Sequence, residues 1–213
     1  MGKPTTHVLM VTDKSSSMEP LKDDVRGGFN RYVDDLRNDA GGKYRLTVAL
    51  FDHHYHPLCV AAKLADVPKL DGQNYRPGGM TALVDAIGRA IADFEARVPE
   101  LADGDRVLLV VQTDGQENSS KEHTTEQVRK LISDREAAGR WSCLFLGAGP
   151  DAWQQAGGLG FDRGSTFAVA HTTAGTQSSY AGLTRATRSY SRGATGAEAS
   201  RSVADALQDD SDA

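Results

Sequence analysis

Asp13, Ser15 and Ser17 stand at alternate positions in the stretch His7–Ser17, HVLMVTDKSSS. In an extended or turning backbone alternate residues point the same way, so one carboxylate and two hydroxyls can converge. Small oxygens of this kind suit a hard cation such as Mg²⁺, which takes about six oxygens at roughly 2.0–2.1 Å. Val8 to Val11, just before them, is an apolar run long enough for a buried strand and too short for a helix. These candidate ligands therefore follow a strand end.

The elements that must hold such a loop still can be read along the chain. Leu21, Val25, Phe29, Tyr32, Val33 and Leu36 form one apolar stripe of a helix, with Ser17 suited to cap it, Pro20 to its first turn and Gly41-Gly42 to stop it. Strands are expected at Arg45–Asp52 and Leu58–Leu64. The five residues between them are too few for a helical crossover, so the pair reads as an antiparallel hairpin. A polar loop, Asp71 to Gly79, leads through Met80-Thr81 into a helix that runs to about Val98. Arg106–Thr113 is a buried strand ending in Asp114-Gly115. A helix over Thr125–Ala138, a strand over Trp141–Leu146, a Gly147-Ala148-Gly149-Pro150 loop, a short helix around Trp153, a weak strand at Ser165–Ala170 and a helix over about Thr176–Arg192 complete the pattern.

Helices alternating with buried strands predict an α/β chain: a Rossmann-like, doubly wound, mostly parallel six-stranded sheet with one antiparallel edge strand and helices on both faces. Ligands of such sheets bind at the carboxyl ends of the strands, where strand order reverses. Asp13 and Asp114, a hundred residues apart, both stand at such ends.

Three pieces thus lie on one rim: Asp13-x-Ser15-x-Ser17, Thr81 within Gly78-Gly79-Met80-Thr81, and Thr113-Asp114-Gly115. Glycine lets the second loop approach the first closely. This combination and order resembles the von Willebrand factor A domain with its metal-ion-dependent adhesion site. The stretch PGGMTALVDAI (Pro77–Ile87) and the TDG after a buried strand are similar to the stand-alone bacterial branch. The resemblance spans roughly residues 7–192. It implies that Ser15, Ser17 and Thr81 ligate Mg²⁺ (or Mn²⁺ or Ca²⁺), directly or through water. Asp13 and Asp114 would act largely through water or as supporting ligands. It also implies a binding module, in which an open coordination place takes an Asp or Glu carboxylate of a partner protein within a stress-response or signalling complex.

Other residues read more plainly. Glu117 is expected to be a solvated loop carboxylate and Lys14 to point outward. His53, His54 and His56 lie in the hairpin turn and are read as polar turn residues, because a tight turn seldom aims three imidazoles at one point. Arg185, Arg188 and Arg192 form a basic helix stripe read as a solvated face. Cys59 and Cys143, both in strand-like runs, are read as small buried hydrophobes rather than a disulfide.

The 213 residues, 39% hydrophobic and 25% charged, have the composition of an ordinary soluble domain able to bury a core. A net charge of −5 argues against general nucleic-acid binding. No apolar run approaches a membrane span or a signal-peptide core, so a cytoplasmic location and no membrane partner are expected. Residues 1–192 read as the domain. Residues 193–213 carry Glu198, Asp205, Asp209, Asp210 and Asp212 against one arginine, and read as an acidic tail, disordered or at most a marginal helix. The alternative class, Mg²⁺-dependent phosphoryl transfer of the aspartyl-phosphate phosphatase or receiver type, needs a second acidic residue at the first strand end and a lysine after a later strand. The sequence has serines at the first place and no lysine in Gly-Ala-Gly-Pro, and no phosphate-binding GxxxxGK[ST] motif. The expectation is a protein that is not an enzyme.

Overall fold

Val8 and Met10 face one hydrophobic core, and Leu9 and Val11 face another. That two-sided burial is the mark of a central parallel strand. The computed structural model describes residues 2–148 and 151–211. Gly149 and Pro150 of the predicted loop, and Asp212 and Ala213 at the end of the predicted tail, lie outside the described residues.

The elements run β1 (Thr6–Asp13), α1 (Lys22–Arg37), β2 (Tyr44–Phe51), β3 (Tyr55–Lys63), α2 (Leu83–Arg97), β4 (Arg106–Thr113), α3 (Thr125–Ala137), β5 (Trp141–Ala148), α4 (Ala152–Gly158), β6 (Thr166–Val169), α5 (Thr173–Ser191) and α6 (Gly196–Ser211). The six strands are ordered β3-β2-β1-β4-β5-β6. All neighbours are parallel except the β2–β3 hairpin at the edge. This is the expected fold class.

Residues of α1, α5 and α6 cover the face that holds Val8, Met10, Leu108 and Leu144. Residues of α2, α3 and α4 cover the face that holds Leu9, Val11, Leu109 and Phe145. The chain leaves β1 toward α1 on the first face and leaves β4 toward α3 on the second. The reversal point is therefore the crevice between β1 and β4. Parallel pairing of Thr12 with Gln112 sets Asp13 and Asp114 at adjacent strand ends.

Three of the differences from the expected elements have a plain physical reason. Strand β3 begins at Tyr55, three residues before its expected start; Pro57 sits within it on the outer edge, where a missing N–H costs no ladder bond. Ser17 does not cap α1: it lies in a 3-10 segment, Ser16–Leu21, and the cap position falls at Leu21. Finally, residues 193–211 are neither a disordered tail nor a marginal helix. Gly196–Ser211 form α6, with Ala199, Val203 and Ala206 buried against α5. Their i, i+4, i+7 spacing is a narrow apolar stripe, masked in composition by acidic residues such as the exposed Glu198 and Asp205. Cys143 is buried, Cys59 is half-buried, and both are free thiols.

Candidate metal centre

At the end of β1 the Asp13 carboxylate is fully buried. Its Oδ1 accepts from the Ser15 N–H at 2.6 Å, closing the turn that aims the Ser15 side chain back toward the rim. Its Oδ2 accepts from the Thr113 hydroxyl at 2.5 Å, which locks the end of β1 to the end of β4. The buried Tyr75 hydroxyl donates to the Asp13 main-chain carbonyl at 2.8 Å and fixes the strand end from below. Burial pushes the Asp13 carboxyl up to about 6, against the hydrogen bonds from Thr113 and Ser15 that favour its charge.

The remaining oxygens follow around the rim. Ser15 Oγ lies 3.1 Å from Ser17 Oγ, and the Ser17 hydroxyl donates to Asp114 Oδ1 at 2.6 Å. Asp114 Oδ2 is 2.7 Å from His171 Nε2, just before the start of α5. The second loop is tied to the first by Gly78 N–H to the Lys14 carbonyl (2.8 Å) and Ser16 N–H to the Gly79 carbonyl (3.2 Å). It is tied to the third by Thr81 N–H to Asn118 Oδ1 (2.9 Å) and Asn118 N–H to the Thr81 carbonyl (3.0 Å). A Cβ on Gly115 would stand 2.9 Å from Thr81 Oγ1 and 3.5 Å from Asp13 Oδ2. The Thr81 hydroxyl and the Asp13 carboxylate therefore border the same small volume, which a larger residue at 115 would fill.

All five predicted site residues, Asp13, Ser15, Ser17, Thr81 and Asp114, thus meet at one rim. Together they offer two carboxylates and three hydroxyls, a donor set that suits a hard divalent cation. Among the described residues neither carboxylate forms an ion pair with lysine or arginine; besides the Ser17 hydroxyl, Asp114 has the His171 imidazole beside it. Lys14, inside the motif, does not point outward as expected. Its ammonium bonds Asp52 Oδ2 at 2.8 Å, with the two side chains 12% and 9% exposed.

Glu117 also departs from the solvated reading. Its two oxygens accept from the Val84, Ser119 and Ser120 N–H groups and the Ser120 hydroxyl, at 2.7–2.9 Å. It clamps the β4–α3 loop onto the first turn of α2 and so positions Thr81 relative to Asp114. Asp85 does the same from the other side, accepting from Lys121, Glu122 and His123 N–H groups. The sequence reading missed Tyr75, Asp52 and His171. Nothing in spacing marks Tyr75 or His171; Asp52, following β2 beside three histidines, was visible as a strand-end carboxylate. The basic stripe on α5 is partly engaged in packing: Arg188 donates to the Asp35 carbonyl, and Arg192 pairs with Asp39 at 2.7 Å.

Comparison with protein-family models and with curated proteins returns no match. Solved structures do match. The PilB minor pilin from Streptococcus sanguinis aligns with a TM-score of 0.63 at 11% identity, over 88% of this chain and 62% of the pilin. A von Willebrand factor type A protein from Catenulispora acidiphila aligns at 0.56 and 13% identity, over 88% of this chain and 43% of its own. Proximal thread matrix protein 1 from the mussel byssus aligns at 0.50 and 17% identity, over 68% and 36%. The chain spans between about a third and two thirds of the length of these proteins. At these identities the likeness concerns the backbone, and the strand order, the hairpin edge and the helices on both faces agree with it: the chain has the fold of a von Willebrand factor A domain.

Proposed function

We propose that the rim holds one divalent cation, Mg²⁺ or alternatively Mn²⁺ or Ca²⁺, and that the held ion captures a carboxylate of a protein partner. Ser15, Ser17 and Thr81 supply neutral hydroxyl oxygens; Asp13 and Asp114 supply the balancing charge, directly or through water. The observation that carries this reading is the meeting of two carboxylates and three hydroxyls from three distant loops, with the one lysine of the motif committed to Asp52. Hydroxyls complete a shell without adding charge, so a bound ion keeps attraction for an incoming anion. The ion supplies that attraction; the chain holds the oxygens in place.

The surroundings fit recognition. Met80, next to Thr81, leaves 55% of its surface exposed, and offers an apolar contact to whatever approaches the rim. Phosphoryl transfer of the phosphatase or receiver type finds less support, because that chemistry sets a lysine beside the metal at the transferring group, and Lys14 is turned away toward Asp52. A place in a stress-response or signalling assembly, in the cytoplasm, belongs to the same proposal; no helix of the described residues is long and apolar enough to cross a membrane. The test is selection from a displayed peptide library in Mg²⁺ or Mn²⁺. Enriched peptides should share an Asp or Glu, lose binding in EDTA, and lose it to the Thr81→Ala variant. Peptides that bind equally in EDTA and to Thr81→Ala would overturn the mechanism.

A further inference from the structure

We propose that Asp52, His53 and His54 form a second metal site, for a borderline-soft divalent ion such as Zn²⁺, separate from the hydroxyl-rich rim, with His56 beside Asp52 at its edge. The turn after β2 gathers imidazoles about one carboxylate. His53 Nδ1, His54 Nδ1 and His56 Nε2 lie 3.4, 3.5 and 3.7 Å from one atom, Asp52 Oδ1. These separations are long for good hydrogen bonds. They are close to the edge of a ligand tetrahedron: with Zn–N and Zn–O bonds of roughly 2.0–2.2 Å, ligand atoms sit about 3.3–3.5 Å apart. Ligand atoms of Asp52, His53 and His54 all fall within 4.8 Å of one another.

A second observation points the same way. His56 Nε2, the atom facing Asp52, is buried and has no hydrogen-bond partner. A buried ring nitrogen without a partner is costly, and a metal bond is one way to satisfy it. The carboxylate, meanwhile, is already oriented as a metal ligand's is. Its Oδ2 is held by Lys14, and the His54 N–H donates to Oδ1 at 2.7 Å. Such supporting contacts fix the direction of a ligating oxygen. The opposite wall is Gly79, whose φ of 77° favours glycine; a Cβ there would fall 2.2 Å from His53 Nδ1. The glycine is thus needed for the imidazole to sit where it does.

The donor type separates the two centres. Imidazole nitrogen favours Zn²⁺, Cu²⁺ and Ni²⁺, whereas hydroxyl and carboxylate oxygen favour Mg²⁺, Ca²⁺ and Mn²⁺. This inference stands independently of the reading of the rim. Its test is Co²⁺ absorption spectroscopy and Zn²⁺ calorimetry on the full chain, in a large excess of Mg²⁺. One ion should bind, with Co²⁺ giving the intense visible bands of a low-coordinate nitrogen site. His53→Ala and His54→Ala, both at exposed turn positions, should each weaken binding roughly tenfold or more. Thr81→Ala and Ser17→Ala should leave it unchanged. Binding that persists in the His53→Ala/His54→Ala double variant, or that disappears in Thr81→Ala, would overturn the proposal; in the second case the zinc resides at the rim.

Discussion

Asp13 carries its charge into full burial with only neutral hydroxyl and amide donors beside it. Its carboxyl is pushed up to about 6 from an ordinary 3.8, chiefly by that burial. The folded chain therefore holds a proton that the unfolded chain releases. This contribution to stability is complete below about pH 4 and is lost as pH rises through about 6. At neutral pH the metal-free fold works against an ionised buried carboxylate. Asp13→Asn should accordingly raise the stability of the metal-free protein at pH 7 by about 3 kcal/mol, since each tenfold change in proton affinity between the folded and unfolded chain is worth about 1.4 kcal/mol. The same change should abolish stabilisation by added Mg²⁺. Urea unfolding with and without Mg²⁺ measures both. At this scale the meeting of Asp13, Ser15, Ser17 and Asp114 on one rim was legible, because alternate spacing and strand ends dictate where they go. Lys14 and the three imidazoles were not, since their direction depends on Asp52, which only the packing of β2 beside β1 brings to Lys14.

The loops are positioned by carboxylates that serve the backbone rather than the solvent. Glu117 accepts three main-chain N–H groups and a hydroxyl, and holds the third loop against the start of α2. Glu117→Ala should destabilise the fold by about 2 kcal/mol, since those donors lose their partner. It should also weaken Mg²⁺ binding although Glu117 is not among the proposed ligands. Calorimetric titration of the variant checks the second effect; unchanged affinity would mean that Thr81 is positioned without the clamp. Tyr75→Phe removes the hydroxyl that donates to the Asp13 carbonyl and should cost about 1 kcal/mol in chemical denaturation. Element boundaries followed from periodicity where apolar runs were long. They shifted where local chemistry overrode it, as at Tyr55–Pro57 in β3 and at the 3-10 turn before α1.

Across the whole molecule, alternation of buried strands and amphipathic helices was enough to read the doubly wound sheet and its antiparallel edge. It was not enough to read α6. That helix buries Ala199, Val203 and Ala206 on the α5 side of the sheet, and its acidic residues conceal so narrow a stripe. Val203→Asp should therefore cost about 3 kcal/mol or more, a drop in Tm of roughly 6–12 °C at 2–4 °C per kcal/mol. A detached acidic tail would show no change. One ion held by three loops is the centre of the proposed chemistry. Crystals grown with Mn²⁺ and measured for its anomalous scattering test this directly. A single peak in contact with the Ser15, Ser17 and Thr81 hydroxyls is predicted, whereas a rim without a peak, or a peak that Thr81 does not touch, would contradict it.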